Sequence, residues 1–182
     1  IALIKQNTDI VNVDSGVDYR LRHLEQAELF HFPLNEAAQD SMRKSFRALT
    51  PECTKAVEND VLIIENRQIK AIRTCDDVAW FDFRELCDGP RSQNDYIELG
   101  KIFHAVLLSG VEQMSVTTDD IARRFINMVD EFYDRGVKLI ITAETPISEL
   151  YAGGRLDFEL DRTRSRLLEM QSHDYLAREH KA

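Results

Sequence analysis

Long apolar runs are missing from this sequence: no stretch approaches the ~20 residues needed to span a bilayer, so a soluble, globular chain is expected of these 182 residues. Positive charge is also scarce. With 23 Lys and Arg against 32 Asp and Glu, the formal charge is −9, and nucleic-acid affinity rests on Lys and Arg neutralising phosphates. No basic stripe interleaved with aromatics is present, which argues against a nucleic-acid partner. Cysteine is limited to Cys53, Cys75 and Cys87, far apart, without CxxC spacing or a histidine at ligand distance. Reduced thiols are therefore expected, and no metal site. The histidines His23, His31, His104, His173 and His180 are scattered, and GxSxG and HExxH are absent. A phosphate-cradling GxxxxGK[ST] is lacking too: Gly100-Lys101 is followed by Ile102, where a magnesium-binding hydroxyl would have to be.

What is present centres on residues 104–143. His104 to Ser109 and Val137 to Ala143 are apolar on consecutive residues, the pattern of strands covered on both faces. Between them, Ile121, Ala122, Phe125, Ile126, Met128, Val129, Phe132 and Tyr133 recur at steps of three and four, predicting an amphipathic helix over Asp119 to Arg135. Thr117 with Asp120 offers an N-terminal capping box, and Gly136 marks the far end. Strand, helix, strand in this order predicts a parallel βαβ crossover. After the first strand the chain reads Ser109-Gly110, which cannot supply the acidic pair that would hold magnesium in an NTPase. At 43% hydrophobic and 8% aromatic, the chain can bury one ordinary core.

Around that unit, Ile1 to Asn7 reads as the end of a helix already under way, so the chain is expected to be a fragment. Asp9 to Val13 suggests a short strand, and Asp14-Ser-Gly16 a turn with Gly16 at positive φ. Ala27 to Phe32 is a second candidate strand, closed by Pro33. Asn35 is placed to cap a peripheral helix through Leu49 with Ala38, Met42, Phe46 and Leu49 on one side. Residues 51–61 read as a loop. Val61–Ile64, a turn at Glu65 to Arg67, Ile69–Thr74 and Val78–Phe83 then predict a small antiparallel insert over 51–83. A turn at Glu85 to Cys87 follows, and Ser92 or Asn94 caps a helix to Phe103 with Tyr96, Leu99, Ile102 and Phe103 inward. Pro146 starts a short helical turn, Gly153-Gly154 breaks it, and a last helix covers Leu160 to Gln171. The expected organisation is 1–50, 51–83 and 84–182.

Polar clusters offer two readings each. Arg20 either forms an ion pair closing a turn or approaches a nucleotide or neighbouring subunit. Pro90 to Tyr96 gathers polar groups at a helix start, where capping or anion binding would both use them. Arg123 and Arg124 lie off the apolar stripe, on a face where arginines usually pair with acids. Arg162 and Arg166 share a helix face, where like charges repel unless something negative opposes them. Glu159, Asp161 and Glu169 are near enough to do so, and a nucleotide phosphate or a partner's acid would serve equally.

In order along the chain, Phe83-x-x-Leu86-Cys87, Arg91-Ser-Gln-Asn-Asp-Tyr-Ile97, Phe103-His104, Ala122-Arg-Arg-Phe-Ile126, Val129-Asp130-x-x-Tyr133-Asp134 and Phe158-Glu159-x-x-Arg162-Thr-x-Ser-Arg-Leu-x-Glu-Met-Gln-Ser172 resemble the AFG-like P-loop ATPases, in their bacterial cell-division branch. The resemblance implies an α/β fold, the C-terminal part of an AAA-like P-loop NTPase. It implies an intact protein that binds and hydrolyses ATP with Mg²⁺, forms homo-oligomers, and acts in the bacterial cytoplasm at the division ring through FtsZ. In that family the nucleotide motifs lie upstream of a segment like Asp14 to Arg20, so the fragment itself is expected to be inactive, with no catalytic or metal-binding residue of its own. Arg162 and Arg166, with Arg20 behind them, become candidates for responding to nucleotide state. The competing reading is a non-enzymatic module that docks a partner such as FtsZ.

Overall fold

The computed structural model describes residues 16–182. The expected helix end at Ile1 to Asn7, the strand Asp9 to Val13 and the turn residues Asp14 and Ser15 lie outside the described residues. Gly16, expected in that turn, opens helix α1 (Gly16–Gln26). The chain continues through β1 (Phe30–His31), α2 (Glu36–Leu49), β2 (Val57–Ile64), β3 (Arg67–Cys75), β4 (Val78–Asp82), α3 (Phe83–Cys87), α4 (Gln93–Ile102), β5 (Ala105–Val111), α5 (Asp119–Arg135), β6 (Lys138–Ala143), α6 (Asp157–Glu169) and α7 (His173–Leu176). The strands form one sheet in the order β1-β6-β5-β4-β3-β2.

The expected crossover is there. β5 and β6 pair in parallel, Ala105 opposite Lys138 and Leu108 opposite Ile141, with α5 between them, and β1 and β4 extend the parallel set on either side. Every residue of β6 is buried, as consecutive apolar residues require when both faces are covered. On α5 the stripe Ala122, Phe125, Ile126, Met128, Val129 and Phe132 is buried. Gly136, at φ 70°, ends the helix in the left-handed region that favours glycine. The N-terminal cap falls elsewhere than expected: Ser115 caps a 3₁₀ turn over Val116–Thr118, and α5 follows without a side-chain cap. The Ser115 hydroxyl accepts from the Thr117 amide and the Thr118 hydroxyl from the Ser115 amide, so the cap sits two residues earlier than Thr117.

The segment 51–83, expected as a small antiparallel insert, supplies three neighbouring strands of this same sheet. β3 is antiparallel to both β2 and β4, and β4 lies parallel to β5. Glu65 and Asn66, both at positive φ, make the tight two-residue hairpin turn. β2 begins at Val57, inside the expected loop, because an edge strand exposed along most of its length can be built from polar residues. Across the hairpin, Arg67 pairs at 2.8 Å with the buried carboxylate of Asp95, whose Oδ2 also accepts from the Ser92 amide. That capping arrangement chooses Ser92 over Asn94.

Helices cover both faces. α3 to α6 and Tyr175 of α7 close one core with Phe81, Leu108 and Ile141; Leu24 of α1, Leu176 of α7 and the whole apolar side of α2 close the other with Trp80, Leu107 and Ile140. The Asn35 carboxamide accepts from the Ala38 amide as expected, but α2 is no peripheral helix: Met42, Phe46 and Leu49 are fully buried on the central strands. Its amphipathic pattern is plain in the sequence, while the surface it meets is set by distant strands. Other departures are local. The stretch around Glu85 is a short helix rather than a turn, Ile102 points outward at 47% exposure, the candidate strand at Ala27 reduces to Phe30–His31, and the last long helix starts three residues early. Cys53 and Cys75, expected as reduced thiols, are joined in a disulfide with Cα atoms 6.3 Å apart. The fold brings the loop after α2 to the end of β3, a proximity that spacing alone does not reveal. Cys87 is buried and free. Among the described residues no helix is long and apolar enough to cross a membrane.

If α2 is a core element, Met42→Ala will cost about 2–5 kcal/mol of unfolding free energy, whereas Phe158→Ala, at a side chain 85% exposed, will stay within about 0.5 kcal/mol. Urea titrations followed by circular dichroism measure both, and equal small losses would return α2 to the periphery.

Candidate functional site

Three residues stand in a row where the parallel strands begin. Asp77 precedes β4, His104 precedes β5, and Lys138 opens β6; the His104 amide donates to the Asp77 carbonyl and the Lys138 amide to the His104 carbonyl, each at 2.9 Å. α1 reaches this edge from one side and the C-terminal residues from the other. Between them lies a cavity of 460 Å³ lined in part by Arg20, Asp77, His104, Lys138, Arg178 and His180.

The charges in this cavity are held in place by specific acceptors. Arg20 donates from one nitrogen to both Asp77 carboxylate oxygens at 3.0 Å. The pair ties α1 to the turn before β4. Lys138 is 4% exposed, and an ammonium taken out of water must find acceptors inside the protein. It donates to the carbonyls of Gly136 and Arg178, each at 2.7 Å, and lies 3.4 Å from that of Tyr175. Burial, with the Arg178 charge adding to it, brings its pKa down to about 8. His104 is pushed down to about 4, chiefly by burial; Asp77 opposes this, while Arg20, Lys138 and His180 reinforce it. Its Nδ1 lies 3.4 Å from Asp77 Oδ2 but without hydrogen-bond geometry, and is a buried nitrogen with no hydrogen-bond partner. His180 contacts the Gly100 carbonyl at 2.6 Å through Nε2, and its ring stands edge-on to that of His104.

A column of stacked rings and cations leads from this cavity to α6. Lys138 lies 5.3 Å from the centre of the Tyr175 ring, Tyr175 stacks on Tyr133, Arg178 sits over both rings, and Arg166 lies 4.8 Å from the centre of the Tyr133 ring. Cations over electron-rich ring faces are favourable. At the far end Arg162 and Arg166 converge on Asp130 of α5, Arg162 at 2.7 Å. One carboxylate thus relieves the repulsion between two arginines of the same helix face. The acid comes from across the helix interface and is none of Glu159, Asp161 and Glu169. Asp161 pairs with Arg164 instead, and Glu169 accepts from Tyr133 and Arg178.

The structure therefore joins Arg162 and Arg166 at one anion and places Arg20 at the other end of the aromatic column. Arg124, expected beside an acid, reaches the Cys87 carbonyl. The polar cluster from Pro90 to Tyr96 is occupied by capping and by the Arg91–Glu85 pair at 2.6 Å. Sequence reading missed Asp77, Asp130, Lys138 and Arg178. Only Lys138 carries a signal: a lysine opening an otherwise apolar strand has to be compensated. His104 and His180 lie too far apart in sequence for their pairing to be visible.

The profile of the family described as AFG1-like ATPase matches residues 1–179. The chain is 46% identical over all its 182 residues to proteins named cell division protein ZapE from Escherichia coli strains K12 and O157:H7, and it covers 48% of their length. It is 30% identical over 171 residues to lactation elevated protein 1 homolog B of Danio rerio, across 93% of this chain and 34% of that protein. The chain thus spans about half the length, or less, of the curated relatives it matches. No solved structure matches it.

The described residues do not fit a magnesium-bound triphosphate. Arg20, Arg162 and Arg166 are already held by carboxylates, Lys101 is paired with Glu98 at 2.6 Å, and among the described residues no three His, Cys, Asp or Glu side chains converge where a cation could sit.

The neutral state of His104 has a measurable consequence. As pH falls from 6.5 toward 4, the unfolded chain takes up a proton that folded His104 refuses, so stability present above that window is lost within it. His104→Gln will flatten this part of the pH–stability curve relative to the unsubstituted chain, measured by urea titration at each pH; an unchanged curve would show that His104 titrates normally in the fold.

Proposed function

The chain belongs to the AFG1-like ATPase family, and from that premise we propose that it is the non-hydrolysing portion of a P-loop ATPase. In this reading the intact protein binds and hydrolyses ATP with Mg²⁺ through residues outside this segment. It works in the bacterial cytoplasm, in cell division, with the FtsZ ring as its partner structure. Support comes from likeness along the whole chain to proteins named for cell division, together with an α/β sheet of the kind the family implies. This portion contributes positioning, and no step of hydrolysis is assigned to it.

The observation that carries its role is the sharing of Asp130 by Arg162 and Arg166. Two arginines on one carboxylate form a pair of charges that a stronger anion can recruit, since a guanidinium binds phosphate or carboxylate through the same planar donors. Exchange of Asp130 for a neighbouring subunit's acid would shift α6 along α5. The aromatic column would carry that shift toward Arg20 and the C-terminal residues. Arg20 with Asp77 is a second pair of the same kind. A docking-module reading is favoured by a separate observation: Phe158, 85% exposed, and Leu168, 60% exposed, stand on the same helix as these arginines.

Purified 1–182 is expected to show no Mg-ATP hydrolysis above the buffer blank, while the full-length protein turns over; hydrolysis by 1–182 alone would contradict the proposal. In the full-length protein, Arg162→Glu with Arg166→Glu should lower turnover about tenfold, within the usual range of coupling between sites, and leave FtsZ co-sedimentation intact. Lost co-sedimentation with unchanged turnover would transfer the role to docking.

A further inference from the structure

The two faces of the sheet are covered unequally. One is packed as far out as Ile64 and Ile69 on the β2–β3 hairpin. On the other, α2 covers β4, β5 and β6 through Trp80, Leu107 and Ile140 and reaches β3 only at Cys75 and Arg73, leaving the outer part of the hairpin open. Leu62 and Ile64 of β2 turn toward the packed face, so by alternation Val61 and Ile63 stand on the α2 side. They are 45% and 63% exposed, and Ile72 of β3 is 37% exposed. Ile72 also lines a groove of 480 Å³ whose walls include Arg43 and Arg47 of α2, with Arg73 and Trp80 beneath. An open sheet face turned to solvent is ordinarily polar. This one carries β-branched apolar residues.

The rim of this shelf is rich in basic residues. Arg43 and Arg47 border it from α2, and Lys70, opposite Val61 in the strand register, and Arg73 border it from β3. Arg43 pairs with Asp40 and Arg73 with Glu58. Arg47 and Lys70 have no ion pair among the described residues. In a chain of net charge −9, a rim carrying two cations without ion pairs favours an acidic partner.

We propose that this shelf docks an acidic amphipathic helix of a partner protein. The helix lies beside α2 as the next member of that layer, at the usual 8–10 Å interaxial spacing. Its apolar stripe covers Val61, Ile63 and Ile72, and its carboxylates meet Arg47, Lys70 and Arg43. Apolar anchors at helical spacing with a charged margin are the ordinary way a helix is read by a groove. Nucleic acid fits less well: Asp40 and Glu58 stand among the cations, beside aliphatic Val61, Ile63 and Ile72. The inference is independent of the nucleotide reading, because none of these side chains touches the Arg20–Lys138 cavity or the Asp130 cluster.

The probe is a labelled synthetic helix of about 16 residues, some four turns, with leucines on one face and glutamates flanking them, titrated with the 182-residue chain and read by fluorescence anisotropy. Saturable binding is expected, weakened about tenfold or more when lysines replace the glutamates, and weakened similarly by Ile63→Ser or by Arg47→Glu in the protein. Both protein variants alter exposed side chains, and an unchanged melting temperature verifies their fold. Absent binding, equal affinity for the acidic and basic peptides, or affinity indifferent to both variants would overturn the proposal. So would tighter binding of a single-stranded RNA of similar length, or a concentration-dependent dimer abolished by Ile63→Ser, which would give the shelf to nucleic acid or to a second copy of this chain.

Discussion

A buried ammonium has few ways to be satisfied, and much of this structure follows from how Lys138 is. It opens β6, the strand next to the β1 edge, and is almost completely enclosed, so its charge must be met by acceptors brought to it. One comes from its own turn, the Gly136 carbonyl. The others come from the C-terminal residues, which must return across the beginnings of β4, β5 and β6 to supply the Arg178 and Tyr175 carbonyls. Once they do, the Tyr175 hydroxyl falls 2.9 Å from the Val137 carbonyl, the Lys181 amide reaches the Arg135 carbonyl, and His180 meets Gly100. Residues 178–181, exposed apart from half-buried His180, are thereby tied to the ends of α4 and α5.

That return also organises the charged residues above it. Tyr175 brings its ring against Tyr133, and Arg178 and Arg166 settle over the pair, so the ion pairs at Asp130 and Glu169 are built on a fixed aromatic support. Single exposed ion pairs contribute little to stability. Their interest here is that one of them is shared: Arg162 and Arg166 meet one carboxylate, and Arg20 is bound to Asp77 at the opposite end.

The sequence revealed what depends on neighbours a few residues away. The crossover from β5 to β6 was visible because few folds other than a parallel crossover bury consecutive apolar residues on both sides of a stripe of period 3.6, and Gly136 marks the only kind of turn that ends such a helix tightly. Asn35 as a cap and Glu65-Asn66 as a hairpin turn are equally local. What distant chain segments decide was not visible. The polar first half of β2 forms a strand because β3 pairs with it, α2 is central because the sheet passes beneath it, and Cys53 meets Cys75 because the loop after α2 passes the end of β3. For the site, the arginines of α6 were legible as a cluster in need of an anion, but the anion, Asp130, lies on another helix. Lys138 was hidden inside an apolar run.

Hydrogen exchange at the C-terminal amides of Lys138→Met tests the central claim most directly. Methionine keeps the length and removes the donor. If the ammonium anchors the chain end, the amide of Lys181, hydrogen-bonded to Arg135, will lose its protection while amides of β5 and the middle of α5 keep theirs. Unchanged protection at Lys181 would contradict the account, since the chain end would then be held without the buried charge.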